Sequence, residues 1–114
     1  MAKPWMEAIA EREAQLGADT VVRMAKIFIV DSKAQLATIA SALGRNELAT
    51  ARSAAHDLTA NAGALCFIFL EQAARDCETA CVAGDKSKAA EFAKGLPALV
   101  NICLVQLRDR YNLT

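Results

Sequence analysis

His56 is the only histidine in the sequence, and its side chain is the strongest candidate for chemistry. Neutral imidazole is a nucleophile near neutral pH, and it can accept a phosphoryl group. Arg52 precedes His56 by one turn of a helix and Thr59 follows it by one turn, so a helix would place both beside the ring. The guanidinium could steady phosphate oxygens, and the hydroxyl could donate a hydrogen bond to them. This spacing is compatible with phosphoryl acceptance at His56; the alternative from the spacing alone is a solvated surface histidine without a chemical role.

Small residues surround His56 on the surface of the predicted helix. At about 100° per residue, His56 lies well off the apolar stripe of that helix. The stripe consists of Leu48, Ala51, Ala55, Leu58 and Ala62. The small neighbours on the side of His56 are Ala49, Ser53, Thr59, Ala60 and Gly63. An incoming protein could therefore reach a ring nitrogen without a large side chain in the way.

Two other kinds of site fit the sequence less well. A zinc site would need closely spaced ligand pairs, but Cys77 and Cys81 have neither a second pair nor a nearby histidine. We expect the four cysteines to be reduced and to serve as small apolar side chains. An acid–base enzyme that combines His56 with Asp57 is disfavoured, because adjacent helix residues diverge by about 100°. The sequence therefore predicts no metal site and no enzyme active site.

The elements that position His56 are predicted to be helices, because apolar residues follow a three–four spacing through nearly the whole chain. We predict helices over residues 4–16, 19–43, 46–63, 65–83 and 87–111. Asp19 or Thr20 is the expected N-cap of the second helix and Asn46 that of the third. Pro97 is expected to kink or restart the fifth. Four long helices with short turns favour an all-α, antiparallel up-down four-helix bundle, with the additional short N-terminal helix covering one end.

Length, charge and hydropathy limit the domain count and the kinds of partner. The chain has 114 residues, which suit one domain over residues 1–114. Its 13 Lys+Arg balance 13 Asp+Glu, which argues against a nucleic-acid binder. The longest apolar run, residues 62–70, is far short of the roughly 20 residues that span a bilayer, and no secretory signal is visible. We expect a cytoplasmic protein with no membrane segment, and a monomer because one bundle can bury its own apolar stripes.

Residues 55–66 form a pattern of small and apolar positions around the histidine, AHDLTANAGALC. This run resembles the histidine-containing phosphotransfer (HPt) domain, whose members have Ala-His-x-Leu-Lys-Gly, two small residues, Gly, any residue, an apolar residue and Gly. The likeness extends over roughly residues 16–111 through Phe28, Asp31, Cys77-Glu78 and Gly84-Asp85. The departures are Thr59 in place of the usual lysine, Ala60 in place of a glycine and Cys66 in place of the last glycine.

The resemblance implies a phosphorelay carrier, which is not an enzyme. An aspartyl phosphate on a response-regulator receiver domain would pass its phosphoryl group to His56, and His56 would pass it to another receiver. The receiver would supply Mg²⁺, so we expect no cofactor on this chain, and a hybrid histidine kinase is a further expected partner. The alternative is a non-phosphorylated interaction module on the same bundle, because Thr59 and Ala60 depart from the family pattern.

The partner surface is predicted to centre on His56. The residues expected to support the phosphoryl group or the partner are Arg52, Thr59, Ala60 and Gly63, with Ala49 and Ser53 around them. On the preceding helix Ile27 and Val30 lie away from the core stripe, near Lys26 and Lys33. Exposed apolar residues of this kind suit contact with a receiver helix, but the first helix could cover them instead.

Overall fold

Five α-helices make up the computed structural model, which describes residues 3–113 and has no strand within that range. The helices are α1 (Trp5–Leu16), α2 (Ala18–Gly44), α3 (Leu48–Ala64), α4 (Ile68–Val82) and α5 (Lys86–Tyr111). The predicted all-α class is confirmed, and the ends of each predicted helix lie within three residues of the observed ends. Residues 1, 2 and 114 of the predicted 1–114 domain lie outside the described residues.

Helices α2 to α5 form the bundle, and α3 carries His56 between α2 and α4. Short turns reverse the chain after α2, α3 and α4. Helix α5 completes the bundle by packing against both α4 and α2. Several helix faces are lined by fully buried alanines, which let the helices approach closely: Ala25, Ala55, Ala62, Ala74 and Ala89. The small side chains therefore set the close spacing of the helices around α3.

Each of the three turns within the bundle is closed by one residue with positive φ. These residues are Asn46, Cys66 and Gly84, with φ of 58°, 64° and 72°. The next amide in each turn donates to the carbonyl five residues earlier, at 2.8, 2.9 and 2.9 Å. This Schellman pattern satisfies carbonyls at the helix end. Asn46 therefore ends α2 and does not cap α3 as predicted, and the N-cap of α3 is Glu47.

The start of α2 also differs from the prediction. Gly17, with φ of 90°, holds the N-cap position, and Asp19 and Thr20 lie inside the first turn. The left-handed backbone at Gly17 connects α1 to α2 within one residue, because glycine lacks a Cβ that would clash there. Asp19 still favours the helix start, since a carboxylate in the first turn interacts well with the helix dipole.

Helix α1 covers one end of the bundle, as predicted. The indole Nε1 of Trp5 donates to the Leu65 carbonyl at 2.9 Å, and the Trp5 ring stacks on Phe67 with centroids 5.2 Å apart. Farther along α1, the Glu13 carboxylate accepts hydrogen bonds from Arg110 at 3.0 and 2.7 Å and from the Tyr111 hydroxyl at 2.6 Å. These contacts fix α1 over the α3–α4 turn and the end of α5.

Helix α5 runs without interruption through Pro97, so of the two predicted alternatives the restart is wrong and the kink stays a prediction. Pro97 itself is exposed, whereas Leu96 and Val100 on either side of it are buried in the core. Proline removes one helical hydrogen bond, but the apolar packing holds both halves of the helix in the bundle.

Helices α2 and α5 are long and apolar enough to cross a membrane by length and composition alone. This is weak support for a membrane span, because the core helices of a soluble bundle pass the same test. Both helices place a buried apolar face in the bundle described above.

Candidate functional site

The imidazole of His56 stands on the outer face of α3. The preceding Ala55 and the following Leu58 are fully buried, which fixes the rotation of the helix. The His56 side chain is 64% exposed on the opposite side. The prediction of a reachable ring is therefore confirmed, and a macromolecular partner has access to it.

A carboxylate from the neighbouring helix holds one nitrogen of this ring. His56 Nδ1 lies 2.9 Å from Oε2 of Glu78 on α4, and only 19% of the Glu78 side chain is exposed. A carboxylate accepts a hydrogen bond, so this contact favours the tautomer with the proton on Nδ1. In that tautomer the lone pair of Nε2 is available to attack an electrophile.

Glu78 is the residue of the site that the sequence did not reveal as a contact of His56. Cys77-Glu78 contributes to the family likeness, but no spacing rule links positions 56 and 78. The contact depends on how α4 folds back along α3 after the turn at Cys66. The only available signal was an acidic residue next to Cys77, which is fully buried.

A second contact fixes the relative positions of α3 and α4. A Cβ added at Gly63 would lie 2.5 Å from Glu71 Oε2, so the Glu71 side chain occupies the space left by this glycine. Seven residues separate His56 from Gly63, and seven separate Glu71 from Glu78. Helices α3 and α4 are thus antiparallel, and the two contacts are the same number of residues apart on each helix. Gly63 therefore has a packing role, because it makes room for the Glu71 side chain of α4.

Four of the predicted surface residues are exposed on α3 together with His56, and they are Ala49, Arg52, Ser53 and Ala60. Arg52 lines a shallow depression between α3 and α4, beside Cys81 and Val82. It is therefore placed on the α4 side of the ring, toward the beginning of α3. Ala60 lies one turn beyond His56 and presents only a methyl group.

Thr59 does not belong to the exposed surface around His56, so this part of the prediction is wrong. Only 7% of the residue is exposed, and its hydroxyl donates to the Ala55 carbonyl at 2.8 Å. Position 59 borders Ala55 and Ala62 on the helix, and both are fully buried. Its hydroxyl proton is already used inside the protein and is not directed at a ligand of His56.

Ile27 and Val30 are exposed at 57% and 68%, so α1 does not cover them. The intervening Phe28 packs on Phe67, with ring centroids 5.5 Å apart, which places this part of α2 level with the α3–α4 turn. His56 lies eight residues before the end of α3 (64 − 56), about 12 Å along the axis. Ile27 and Val30 are thus about two turns from the ring along the bundle, toward the edge of the predicted partner surface. Lys26 and Lys33 are exposed on the same helix.

Metal-binding and thiol chemistry find no support within residues 3–113. In that range no group of three or more His, Cys, Asp or Glu side chains could hold a metal ion. The four cysteines are free. Burial raises the pKa of Cys77 and of Cys103 to about 12, so both stay protonated thiols near neutral pH.

An apolar groove lies away from His56, between the start of α1, the α3–α4 turn, α4 and α5. Trp5, Phe67, Phe69 and Ile102 contribute to its mainly apolar wall, and no histidine or carboxylate lines it.

Comparison with known protein families gives one match. The sequence model of the family described as Hpt domain matches residues 23–110, which is more than half of the chain. The match covers all of α3 and α4, including His56 and Glu78, and it leaves α1 outside. No curated protein and no solved structure matches the chain significantly.

Proposed function

The chain belongs to the Hpt domain family, whose members are phosphorelay carriers of two-component signalling, and we propose that His56 is its phosphoryl acceptor. In this proposal the phosphoryl group comes from an aspartyl phosphate on a receiver domain and leaves to another receiver. The observation that carries the proposal is an exposed imidazole whose Nδ1 is held by Glu78.

The transfer requires one bond to form and one to break. The Nε2 lone pair attacks the phosphorus of the receiver's acyl phosphate, and the P–O bond to the aspartate breaks, which returns that carboxylate. The new N–P bond leaves the ring as an imidazolium that keeps its proton on Nδ1. In the second transfer an aspartate oxygen attacks the same phosphorus, and the ring leaves as neutral imidazole.

Glu78 stabilises the charged form of the ring in this scheme. Its carboxylate lies 2.9 Å from the nitrogen that retains the proton, so it faces positive charge as that charge develops. Electrostatic stabilisation from a group that is already in position costs little reorganisation during the reaction. Glu78 also orients Nε2 toward the partner, which meets the geometric demand of phosphoryl transfer.

The partner supplies the remaining parts of the site. We propose that the receiver holds the Mg²⁺ and the acidic pocket, that a hybrid histidine kinase provides one such receiver, and that this chain binds no cofactor. We further propose a cytoplasmic monomer that engages neither membrane nor nucleic acid. The partner surface then includes Ala49, Arg52, Ser53 and Ala60 around His56, with Ile27 and Val30 toward its edge.

The proposal is tested by transfer from candidate receivers charged with labelled phosphate. We expect an acid-labile, alkali-stable phosphate on the wild-type chain and on a Lys94→Ala control, whose lysine is exposed on α5 outside the partner surface, and none on His56→Ala. Labelling of His56→Ala at the wild-type level would contradict the proposal. Tight binding of a charged receiver without any labelling would instead favour the non-phosphorylated interaction module.

A further inference from the structure

We propose that Arg75 of α4 binds the phosphoryl group carried by His56. The inference rests on the proposed function and adds a residue that contributed neither to the sequence prediction nor to the contact with the imidazole. It is drawn from the relative positions of α3 and α4, the weak pairing of Arg75 and the distribution of charge beside the ring.

The positions of the two helices place Arg75 close to the ring. Glu78 contacts His56, and Glu71 lies against Gly63, so the intervening Arg75 is level with position 59 of α3. Residues 71, 75 and 78 are four and three apart and share one face of α4. Arg75 is three residues from Glu78, about 4.5 Å along the helix axis. An arginine side chain spans that distance.

The resting contact of Arg75 is easily exchanged. One guanidinium nitrogen, Nη2, lies 3.4 Å from Glu71 Oε2, and 51% of the Arg75 side chain is exposed. An exposed ion pair at this spacing on a helix contributes little to stability, so its exchange for another partner costs little. A phosphoryl group is a stronger partner, because a guanidinium can donate two parallel hydrogen bonds to its oxygens.

The charges around His56 explain why a cation is needed on the side of the ring that faces the end of α3. The phosphoryl group brings about two negative charges near neutral pH, as other protein phosphates do. Glu78 already holds a carboxylate at the ring, and Glu71 holds another farther along α4. Arg52 can offset this charge only from the side toward the beginning of α3.

On the side of the ring opposite Arg52, α3 offers no hydrogen-bond donor to a phosphoryl group. The Thr59 hydroxyl is committed to the Ala55 carbonyl, and Ala60 offers only a methyl group. Arg75 is the cation that α4 places at this level, so it complements Arg52 across the imidazole.

Phosphoramidate phosphorylates accessible imidazoles without a protein partner, and it allows a test that does not depend on a receiver. The protonation of the phosphoryl group is followed by ³¹P NMR in the wild type, Arg75→Ala, Arg75→Lys and Lys94→Ala. Lys94 is an exposed cation on α5, so its variant has the same loss of charge away from the site.

Loss of a nearby cation favours the protonated phosphoryl group. We expect the pH midpoint of phosphoryl-group protonation to rise by roughly half a pH unit in Arg75→Ala and to rise less in Arg75→Lys. In Lys94→Ala this midpoint should stay unchanged. We also expect Glu71→Gln, which frees Arg75, to move the midpoint down. Equal midpoints in Arg75→Ala and Lys94→Ala would overturn the inference. If His56 takes phosphate from phosphoramidate with these shifts but from no receiver, the proposed function fails and the role of Arg75 stands.

Discussion

Replacing Glu78 by alanine removes the carboxylate that holds the His56 ring, and it should slow phosphoryl transfer. The Nδ1–Oε2 distance is 2.9 Å, and the acceptor is largely buried while the ring is 64% exposed. A hydrogen bond to a charged group contributes about 1.5–3 kcal/mol, and exposure of the ring favours the lower part of this range. A loss of about 1.5–2 kcal/mol from the transition state slows transfer by roughly 10- to 30-fold.

Glutamine at the same position separates orientation from charge. Glu78→Gln keeps an oxygen that accepts the Nδ1 proton but removes the negative charge. Transfer should therefore be intermediate, slower than wild type by roughly threefold to tenfold. The rates are measured by rapid quench from a phosphorylated receiver under single-turnover conditions. Urea unfolding serves as the control, and the free energy of unfolding should change by less than about 1 kcal/mol.

A normal rate in the alanine variant would refute this reasoning. If Glu78→Ala transferred within about twofold of the wild-type rate, with His56 still the labelled residue, the carboxylate would not stabilise the charged ring. Equal rates in the alanine and glutamine variants, both well below wild type, would indicate that the charge matters and that the orientation does not.

Three further perturbations test other parts of the structure. Ala60→Glu places a charged side chain on the exposed turn beyond His56, so it should abolish transfer while the circular dichroism spectrum stays unchanged; normal transfer would contradict the proposed partner surface. Ser32 is fully buried and its hydroxyl has no partner within residues 3–113, so Ser32→Ala should raise the free energy of unfolding by about 1 kcal/mol in urea, and a loss of stability would reveal a partner. The Arg110 hydrogen bonds lower the pKa of Glu13 below its usual 4.5, so the stability from this contact is present above that pH and is lost as the pH falls through the lowered pKa. The melting temperature of Glu13→Gln should therefore fall less than that of wild type between about pH 6 and pH 3, and parallel curves would contradict this assignment.

The helices and the exposure of His56 could be predicted because both depend on local periodicity. Apolar residues at three–four spacing define each helix, and the buried Ala55 and Leu58 fix the direction of the ring. The misplacement of Thr59 shows where this reasoning ends. Position 59 borders the apolar stripe, and whether a border position is exposed depends on the helix that packs beside it.

The contacts between helices could not be predicted, because they depend on the turns. The left-handed residue Cys66 sets where α4 begins and brings Glu78 to His56. In the same way the packing of Phe28 on Phe67 sets the level of α2 and moves Val30 away from the ring. A shift of one residue in the turn at Cys66, or in the packing of Phe28 on Phe67, would change these partners without altering the helical pattern of the sequence.

The position of the phosphorus on the protein decides whether His56 serves as the carrier. After incubation with a phosphorylated receiver, NMR of the ¹⁵N-labelled chain can detect coupling between phosphorus and one ring nitrogen. We expect coupling to Nε2 of His56, with Nδ1 still protonated and facing Glu78. Phosphorus on Nδ1, or on any other residue, would contradict the mechanism derived from this site.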